Sequence, residues 1–180
     1  MGKIKIVVVN GLSRSGKDSF IAAVRKKVVA SRIHSTIATV KNALLICGMI
    51  APNKKGPDER TFLTAVKKAW IKYNDGPLQE MIQKVVELED SYKLSNNVTE
   101  VLLFIQVREP QEIYKIQQYF KPNFVSVLVT RSDVKPQPGD EEVFNYLYDL
   151  TVYNDGTFED LDNEADRFLR FSKEKERIYL

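Results

Sequence analysis

The residues best suited to chemistry form one run near the start of the chain, Gly11-Leu12-Ser13-Arg14-Ser15-Gly16-Lys17. Its G-x-x-x-x-G-K spacing is that of a phosphate-binding loop, in which glycines let the backbone curl so that N–H groups converge on phosphate oxygens. Lys17 adds a full positive charge close to the transferable phosphoryl group, and the N-terminus of a following helix adds about half of one. We call residues 11–17 the phosphate loop. The pattern predicts that donor phosphates bind to Gly11, Ser13, Arg14, Ser15, Gly16 and Lys17.

The residue after the lysine is where such loops usually carry a Ser or Thr that holds magnesium, and here it is Asp18, followed by Ser19. Mg²⁺ prefers oxygen ligands and keeps several waters, so a carboxylate can hold it directly or through a water. An acidic residue in the first turn also stabilises a helix without any metal. We favour the metal role for Asp18 and place Ser19 beside it in the cofactor site. The expected cofactors are ATP and Mg²⁺.

Length and composition limit the kind of protein that carries this loop. The 180 residues are 43% hydrophobic and 28% charged, which is typical of one soluble globular domain, residues 1–180. The single cysteine, Cys47, cannot close an intrachain disulfide. Because His34 is the only histidine, a zinc cluster built on several histidines and cysteines is excluded, as is a hydrolase that uses any other imidazole.

Charge is distributed unevenly along the chain. Residues 1–60 contain 12 Lys and Arg against 3 Asp and Glu, whereas residues 61–180 contain 15 against 21. A basic half indicates a phosphate-bearing partner, and the lack of a Lys/Arg stripe with interleaved aromatic residues favours a small phosphorylated ligand over nucleic acid. The apolar run at the start is too short to span a membrane and has no cleavage site after it. We therefore expect no membrane partner and a cytoplasmic protein.

Hydrophobic patterning predicts that strands and helices alternate along the chain. Such an order favours an α/β three-layer sandwich with a five-stranded parallel sheet. The predicted strands are residues 4–9, 33–39, 101–107, 124–130 and 149–153. The predicted helices are residues 18–30, a helix through 43–47, one that starts at 58, 77–92, 110–119, a short one after 140, and 157–171.

Two connecting regions have a predicted role. Residues 52–57 form the clearest loop, within a region of predicted helices, residues 40–95, that we expect to bind the phosphate acceptor. The polar, proline-rich residues 132–140 are a candidate lid. An ordinary surface loop is an equally supported interpretation of this segment. Arg131 stands at the start of this segment.

Four segments, taken together, resemble a known group of proteins. G-L-S-R-S-G-K-D at residues 11–18 resembles the phosphate loop of the P-loop kinases that include deoxynucleoside monophosphate kinases and animal phosphomevalonate kinases, where Asp follows the lysine. V-R-E-P-Q-E at 107–112 is similar to their D-V-R-x-x-x-E segment, and V-T-R at 129–131 to the strand that leads into their lid. Y-D-L-T-V-Y-N-D-G-T at 148–157 is similar to their closing Y-D-x-x-I-x-N-D-G-T turn.

The resemblance implies a fold of the P-loop NTP hydrolase type, as in nucleoside monophosphate kinases. It also implies transfer of the γ-phosphoryl group of ATP to a phosphorylated acceptor, first among them a (deoxy)nucleoside monophosphate. A phosphomevalonate-like metabolite is the alternative acceptor. Gln106 stands where the group often has an acidic residue, which keeps open a nucleotide-binding module with reduced catalysis. Without an Asn-Lys-x-Asp motif, a GTPase switch is disfavoured.

Arginines carry most of the remaining predicted roles, because phosphoryl transfer depends on positioned charge and a guanidinium suits phosphate well. Arg131 is the candidate lid arginine and Arg108 the second catalytic candidate. Acceptor binding is assigned to Arg108, to Glu109 beside it, and to Lys41 and Arg60. For Arg60, a surface position without contact to substrate is the alternative.

The turn after the last strand is expected to line the purine pocket of the donor, with Asn154 and Gly156 supplying backbone, as the resemblance implies. An alternative role is a helix cap, with Asp155 or Thr157 at the start of the final helix. The two roles are compatible, because a capped turn makes a rigid wall. The sequence leaves the oligomeric state open between a monomer and a homodimer.

Overall fold

The computed structural model describes residues 3–50, 57–93, 100–137, 140 and 142–178, without the side chains of residues 3, 57, 60, 93 and 176–178. The strands are β1 (Lys3–Asn10), β2 (Ser31–Ser35), β3 (Glu100–Gln106), β4 (Phe124–Thr130) and β5 (Leu150–Tyr153). The helices are α1 (Lys17–Arg25), α2 (Thr36–Ile46), α3 (Pro57–Asn74), α4 (Gly76–Lys93), α5 (Pro110–Phe120) and α6 (Phe158–Ile178).

The strands form one parallel sheet in the order β2-β3-β1-β4-β5. The central strand β1 is aliphatic on both faces and almost wholly buried, as expected for a strand covered by helices on both sides. The register places Val9 opposite Gln106 of β3 and Val127 of β4, so these three strands end at one edge of the sheet. The predicted α/β fold with a five-stranded parallel sheet is confirmed.

Two hydrophobic cores lie on opposite faces of the sheet. On one face, α1 and α6 pack together, with Phe20 and Phe168 in an edge-to-face contact at 5.6 Å between ring centroids. On the other face, α4 and α5 contribute Met81 and Ile113. The helices that follow the neighbouring strands β1 and β3 therefore lie on opposite faces. In open α/β sheets, such a point is where a crevice for ligands opens beyond the carboxyl ends of the strands.

The second strand is shorter than predicted. β2 ends at Ser35, and residues 36–39, which the pattern assigns to the strand, begin helix α2. Burial explains the difference, because Thr36, Thr39 and Val40 recur at helical spacing and face the interior. The β-branched side chains favour a strand only weakly compared with this packing.

Other parts of the chain differ from the sequence prediction or lie outside the described residues, and α6 extends to Ile178 rather than to residue 171. α1 ends at Arg25 rather than near residue 30. Residues 142–146 form turns where a short helix was expected. Most of the predicted loop at 52–57 lies outside the described residues, whereas the described parts of 40–95 are helical, in α2, α3 and α4.

Helix α6 begins with a capping box. The backbone N–H of Asp160 donates to Thr157 Oγ1 at 3.3 Å, and the N–H of Thr157 donates to Asp160 Oδ2 at 2.7 Å. Thr157 thus has the capping role that the sequence offered for it.

No helix among the residues described is long and apolar enough to cross a membrane.

Candidate active site

The phosphate loop is tightly packed at its two glycines. Gly11 has a φ of +148°, and a Cβ there would lie 2.2 Å from the carbonyl oxygen of Val129 in β4. Gly16 has a φ of +93°, and its Cβ would lie 2.0 Å from the side-chain amide of Asn154. Glycine is therefore required at both positions, by conformation and by space. The expected strand-to-helix loop is present between β1 and α1.

The inner side of the loop has the groups that a polyphosphate needs. Ser15 is fully buried, and its hydroxyl has no hydrogen-bond partner among the described residues. The first turn of α1 begins at Lys17, and helices leave their first N–H groups without an intrahelical acceptor. A hydroxyl, free N–H groups and a helix dipole all favour an anion, so these residues fit the phosphates of ATP.

Lys17 lies against its own loop. Its Nζ donates to the carbonyl oxygens of Gly11, at 2.9 Å, and Leu12, at 2.7 Å. Burial lowers the pKa of Lys17 and the nearby Arg108 guanidinium lowers it further, while the Asp140 and Asp18 carboxylates act in the opposite direction. Because loop carbonyls satisfy the ammonium group, Lys17 is held against the loop and is only partly exposed. To reach a phosphate, Lys17 has to exchange these carbonyls for phosphate oxygens.

Asp140 is the main site residue that the sequence did not reveal. Its side chain is fully buried, and Oδ2 accepts the N–H groups of Ser13, at 2.9 Å, and Gln137, at 3.2 Å. Its Oδ1 lies 3.2 Å from Nη1 of Arg108. One carboxylate therefore ties the candidate lid to the phosphate loop and to the segment after β3. An aspartate in a polar loop carries no sequence signal for such a role.

Asn10, at the end of β1, is a second residue that sequence reasoning missed. Its Oδ1 accepts the N–H of Gly11 at 2.8 Å. Its Nδ2 donates to the carbonyl oxygen of Arg108, at 3.1 Å, and to the Tyr148 hydroxyl, at 2.7 Å. The side chain thus fixes the start of the phosphate loop relative to the end of β3. A polar residue that closes an aliphatic strand, directly before a loop glycine, was the available signal.

Asp18 has a defined orientation that bears on magnesium. Gln106 Nε2, at the end of β3, donates to Asp18 Oδ1 at 2.5 Å. The described residues contain no group of three or more His, Cys, Asp or Glu side chains that could hold a metal. A single carboxylate suits Mg²⁺ that is carried mainly by nucleotide phosphates and water. Asp18 fits that role, with the Gln106 amide orienting its carboxylate.

A cavity of about 460 Å³ lies between α3 and the segment that runs from Arg108 into α5. Its charged lining side chains are four cations, Lys68, Lys72, Arg108 and Lys115, and three glutamates, Glu109, Glu112 and Glu142. Arg108 belongs both to this wall and to the Asp140 contact beside the phosphate loop. The cavity is therefore suited to an anionic molecule placed next to the donor phosphates. We call it the acceptor cavity.

The predicted acceptor residues have different positions relative to this cavity. Arg108 and Glu109 line it. Lys41 lies in α2, where its Nζ is 3.0 Å from Oε1 of Glu59, and it is not among the lining residues. The Arg60 side chain lies outside the described part of the chain.

A buried ion cluster, formed by Lys67, Glu109 and Glu112, supports one wall of the acceptor cavity. Lys67 Nζ lies 2.6 Å from Oε2 of each glutamate. The exposed fractions of the side chains are 5% for Lys67, 4% for Glu112 and 32% for Glu109. Burial raises the pKa of Glu112 to about 7 against the pull of Lys67. Burial acts in the same direction on Glu109, but the Lys67 charge and hydrogen bonds outweigh it and hold the pKa of Glu109 at about 2.

The predicted donor-side residues meet at the turn after β5. Asn154 Nδ2 donates to the carbonyl oxygen of Ser15 at 3.0 Å, which joins this turn to the phosphate loop. The N–H of Ser132 donates to Asp155 Oδ1 at 2.6 Å and so ties the start of the candidate lid to the same turn. Arg131 is half exposed and pairs with Asp133 at 2.9 Å. Gly156 lies against Asp160 of α6, where a Cβ would be 2.3 Å from Oδ2.

The packing at Gly11 yields a stability prediction. We expect Gly11→Ala to lower the free energy of unfolding by about 1–3 kcal/mol. Alanine is strained at this φ, and its Cβ would also clash with the Val129 backbone. Gly48→Ala is the matched control, since Gly48 has a φ of +69° with nothing within 4 Å of the added Cβ. Urea unfolding of both variants measures the difference. Equal losses would contradict the tight contact with β4.

Comparison with known proteins supports the fold. No family model matches the sequence, and no curated protein matches it. The fold is similar to that of TT1252 from Thermus thermophilus, with a TM-score of 0.52 and 14% identity over 94% of this chain and 98% of the other. It is also similar to that of APS kinase from Mycobacterium tuberculosis, with a TM-score of 0.50 and 14% identity over 96% and 99% of the two chains. The chain therefore has a fold similar to that of these two proteins.

Proposed function

We propose that this protein is a Mg-ATP-dependent kinase that transfers the γ-phosphoryl group to a small phosphorylated acceptor. The favoured acceptor is a (deoxy)nucleoside monophosphate. The observation that carries the proposal is the position of Arg108, which lines the cation-rich acceptor cavity and also pairs with Asp140, whose carboxylate holds the phosphate loop at Ser13. In this proposal one guanidinium contacts both the donor side and the acceptor side, where it supplies positive charge for phosphoryl transfer.

On the donor side, the phosphate loop binds the polyphosphate through its N–H groups, the Ser15 hydroxyl and Lys17. Mg²⁺, when bound, neutralises charge on the phosphates, and Asp18 is the residue placed to hold it. The turn after β5 contacts the phosphate loop through Asn154, and the proposal assigns the base of the nucleotide to this turn, at Asn154 and Gly156. The likeness to an APS kinase fold agrees with ATP as the donor without identifying the acceptor.

On the acceptor side, the lysine and arginine side chains of the cavity favour a negatively charged molecule. Arg108 holds the acceptor phosphate, because a planar guanidinium can donate two parallel hydrogen bonds to phosphate oxygens. A phosphomevalonate-like metabolite would meet the same charge requirement and remains the second candidate acceptor.

A nucleotide-binding module without transfer is the alternative function, and Gln106 favours it. Its neutral amide replaces an acidic side chain at the end of β3 and contacts Asp18. Such a module would bind ATP and turn over no acceptor. The two functions therefore differ in one measurable step.

The decisive experiment pairs calorimetry with an ADP-release assay on the same preparation. We expect saturable binding of Mg-ATP, and transfer to at least one of the four deoxynucleoside monophosphates or to phosphomevalonate. ATP binding without transfer to any of them would support the module, and no binding of Mg-ATP would refute both functions.

Arg131→Ala tests the lid. We expect kcat to fall while ATP affinity changes much less, because a lid arginine acts mainly on charge in the transition state. Asp133→Ala, which removes the ion-pair partner of Arg131, is the control for simple disturbance of the loop. Steady-state kinetics and ATP titration measure both quantities. An equal loss of turnover and ATP affinity would place Arg131 in ground-state binding only.

A further inference from the structure

Glu109 is an anionic group on the wall of the acceptor cavity, which also has four cationic side chains and the carboxyl groups of Glu112 and Glu142. Of the three residues in the buried ion cluster, it has the largest exposed fraction, and Lys67 fixes its Oε2 at 2.6 Å. Glu109 balances the charge of buried Lys67, and its partly exposed carboxylate also lines the cavity. A carboxylate does accept hydrogen bonds strongly, so its presence indicates that the ligand carries a donor group.

The cluster keeps this carboxylate from repelling a phosphorylated ligand. Lys67 balances the charge of Glu109, and burial raises the pKa of Glu112 to about 7, which favours its neutral form compared with an exposed glutamate. The other oxygen of Glu112, Oε1, is buried and has no hydrogen-bond partner among the described residues, which adds to the cost of charging this carboxyl. The cluster as a whole is therefore close to neutral.

The position of Glu109 limits the donor group further. Arg108 and Glu109 are consecutive and line the same cavity, so the phosphate and the donor group that they contact lie only a few bonds apart in the ligand. An ammonium donor is disfavoured by the surrounding cations. A neutral hydroxyl close to the phosphate meets both conditions.

We propose that Glu109 accepts a hydrogen bond from a hydroxyl of the acceptor while Arg108 holds its phosphate. The acceptor is then a phosphomonoester with a hydroxyl near the phosphate, such as a nucleoside 5′-monophosphate with an intact sugar. Lys67 and Glu112 are positioning residues that hold Glu109. This inference rests on the proposed kinase function, because it assumes that the cavity receives the acceptor.

The test compares each deoxynucleoside 5′-monophosphate with its 2′,3′-dideoxy counterpart. Binding to the full chain is measured by calorimetry with Mg²⁺ and a non-hydrolysable ATP analogue present. We expect loss of the 3′-hydroxyl to weaken binding by about tenfold to a hundredfold, the usual range for a hydrogen bond to a charged group. In Glu109→Ala this difference disappears, whereas Glu142→Ala, which removes another carboxylate from the cavity wall, preserves it.

The outcomes separate this inference from the proposed function. Equal binding of a nucleotide and its dideoxy counterpart overturns the inference, as does a loss in Glu109→Ala that is the same for both. Binding of the ATP analogue with no binding of any monophosphate also overturns it. If the ATP analogue itself does not bind, the proposed function fails, since Glu109 has no part in the donor site.

The pH dependence provides an independent check on Glu112. As the pH rises from about 6 to about 8, Glu112 loses its proton and adds a negative charge to the cavity wall, so the Kd of an anionic acceptor increases. Its direct neighbours are Lys67 of α3 and Glu109. The other charged side chains that line the cavity are Lys68, Lys72, Arg108, Lys115 and Glu142.

Glu112→Gln isolates this effect, because titration of the acceptor phosphate is common to both proteins. We expect the Kd of the variant to increase less over this pH range than that of the wild type. Identical pH profiles would overturn the role of Glu112 in the cluster.

Discussion

Lys17→Ala is expected to lower kcat by about 10³-fold, the largest effect predicted for this protein. The Lys17 ammonium is the positive group that stabilises negative charge on the phosphoryl group during transfer. A neutral side chain cannot stabilise this negative charge. An ADP-release assay with saturating ATP and the best acceptor measures the loss. The fold should remain intact, because the variant removes only two hydrogen bonds, to Gly11 and Leu12.

Lys26→Ala is the matched control for this variant. Lys26 is exposed at the end of the same helix and carries the same charge, but it lies away from the phosphate loop. We expect full activity from the control and unchanged circular dichroism from both variants. Near-normal turnover in Lys17→Ala would mean that the donor phosphates do not bind at this loop.

Arg108→Ala is expected to have the second largest effect, a decrease in kcat/KM for the acceptor of about 10²–10³-fold. The guanidinium lines the acceptor cavity and contacts Asp140, so its removal affects the acceptor phosphate and the charge balance beside Lys17. Acceptor-dependent kinetics at fixed Mg-ATP measure the change. The affinity for ATP alone should change far less.

Arg108→Lys shows whether charge alone suffices. Lysine keeps the positive charge but cannot form two parallel hydrogen bonds to one phosphate, so an intermediate kcat/KM is expected. Arg170→Ala, at an exposed position of α6, controls for the loss of an arginine elsewhere. If Arg108→Ala keeps the wild-type kcat/KM for its acceptor, the acceptor phosphate does not bind at Arg108.

The phosphate loop could be predicted from the sequence because its parts are contiguous. Gly11, Gly16 and Lys17 lie within one short segment, directly after an aliphatic strand, and each has a separate physical reason to be there. The same local logic predicted the parallel sheet. It failed at residues 36–39, where β-branched side chains favour a strand locally but long-range packing makes them the buried face of a helix.

Asp140 and Lys67 could not be predicted as site residues because their contacts join distant parts of the chain. Ser13 and Asp140 are 127 residues apart in sequence, and Lys67 and Glu112 are 45 apart. Lys67 was especially hidden, since a lysine on an amphipathic helix is usually a solvated residue. Its burial becomes evident only when α3 lies beside α5 and two carboxylates converge on it.

The Asp140 carboxylate has a consequence for selectivity among anions. Any anion that takes the Ser13 amide has to displace an internal carboxylate that already occupies it. The gain is then the difference between two anions rather than the full attraction of one. Such an exchange favours anions that carry more negative charge than one carboxylate. Metabolites with a single negative charge therefore compete poorly at this amide, however abundant they are.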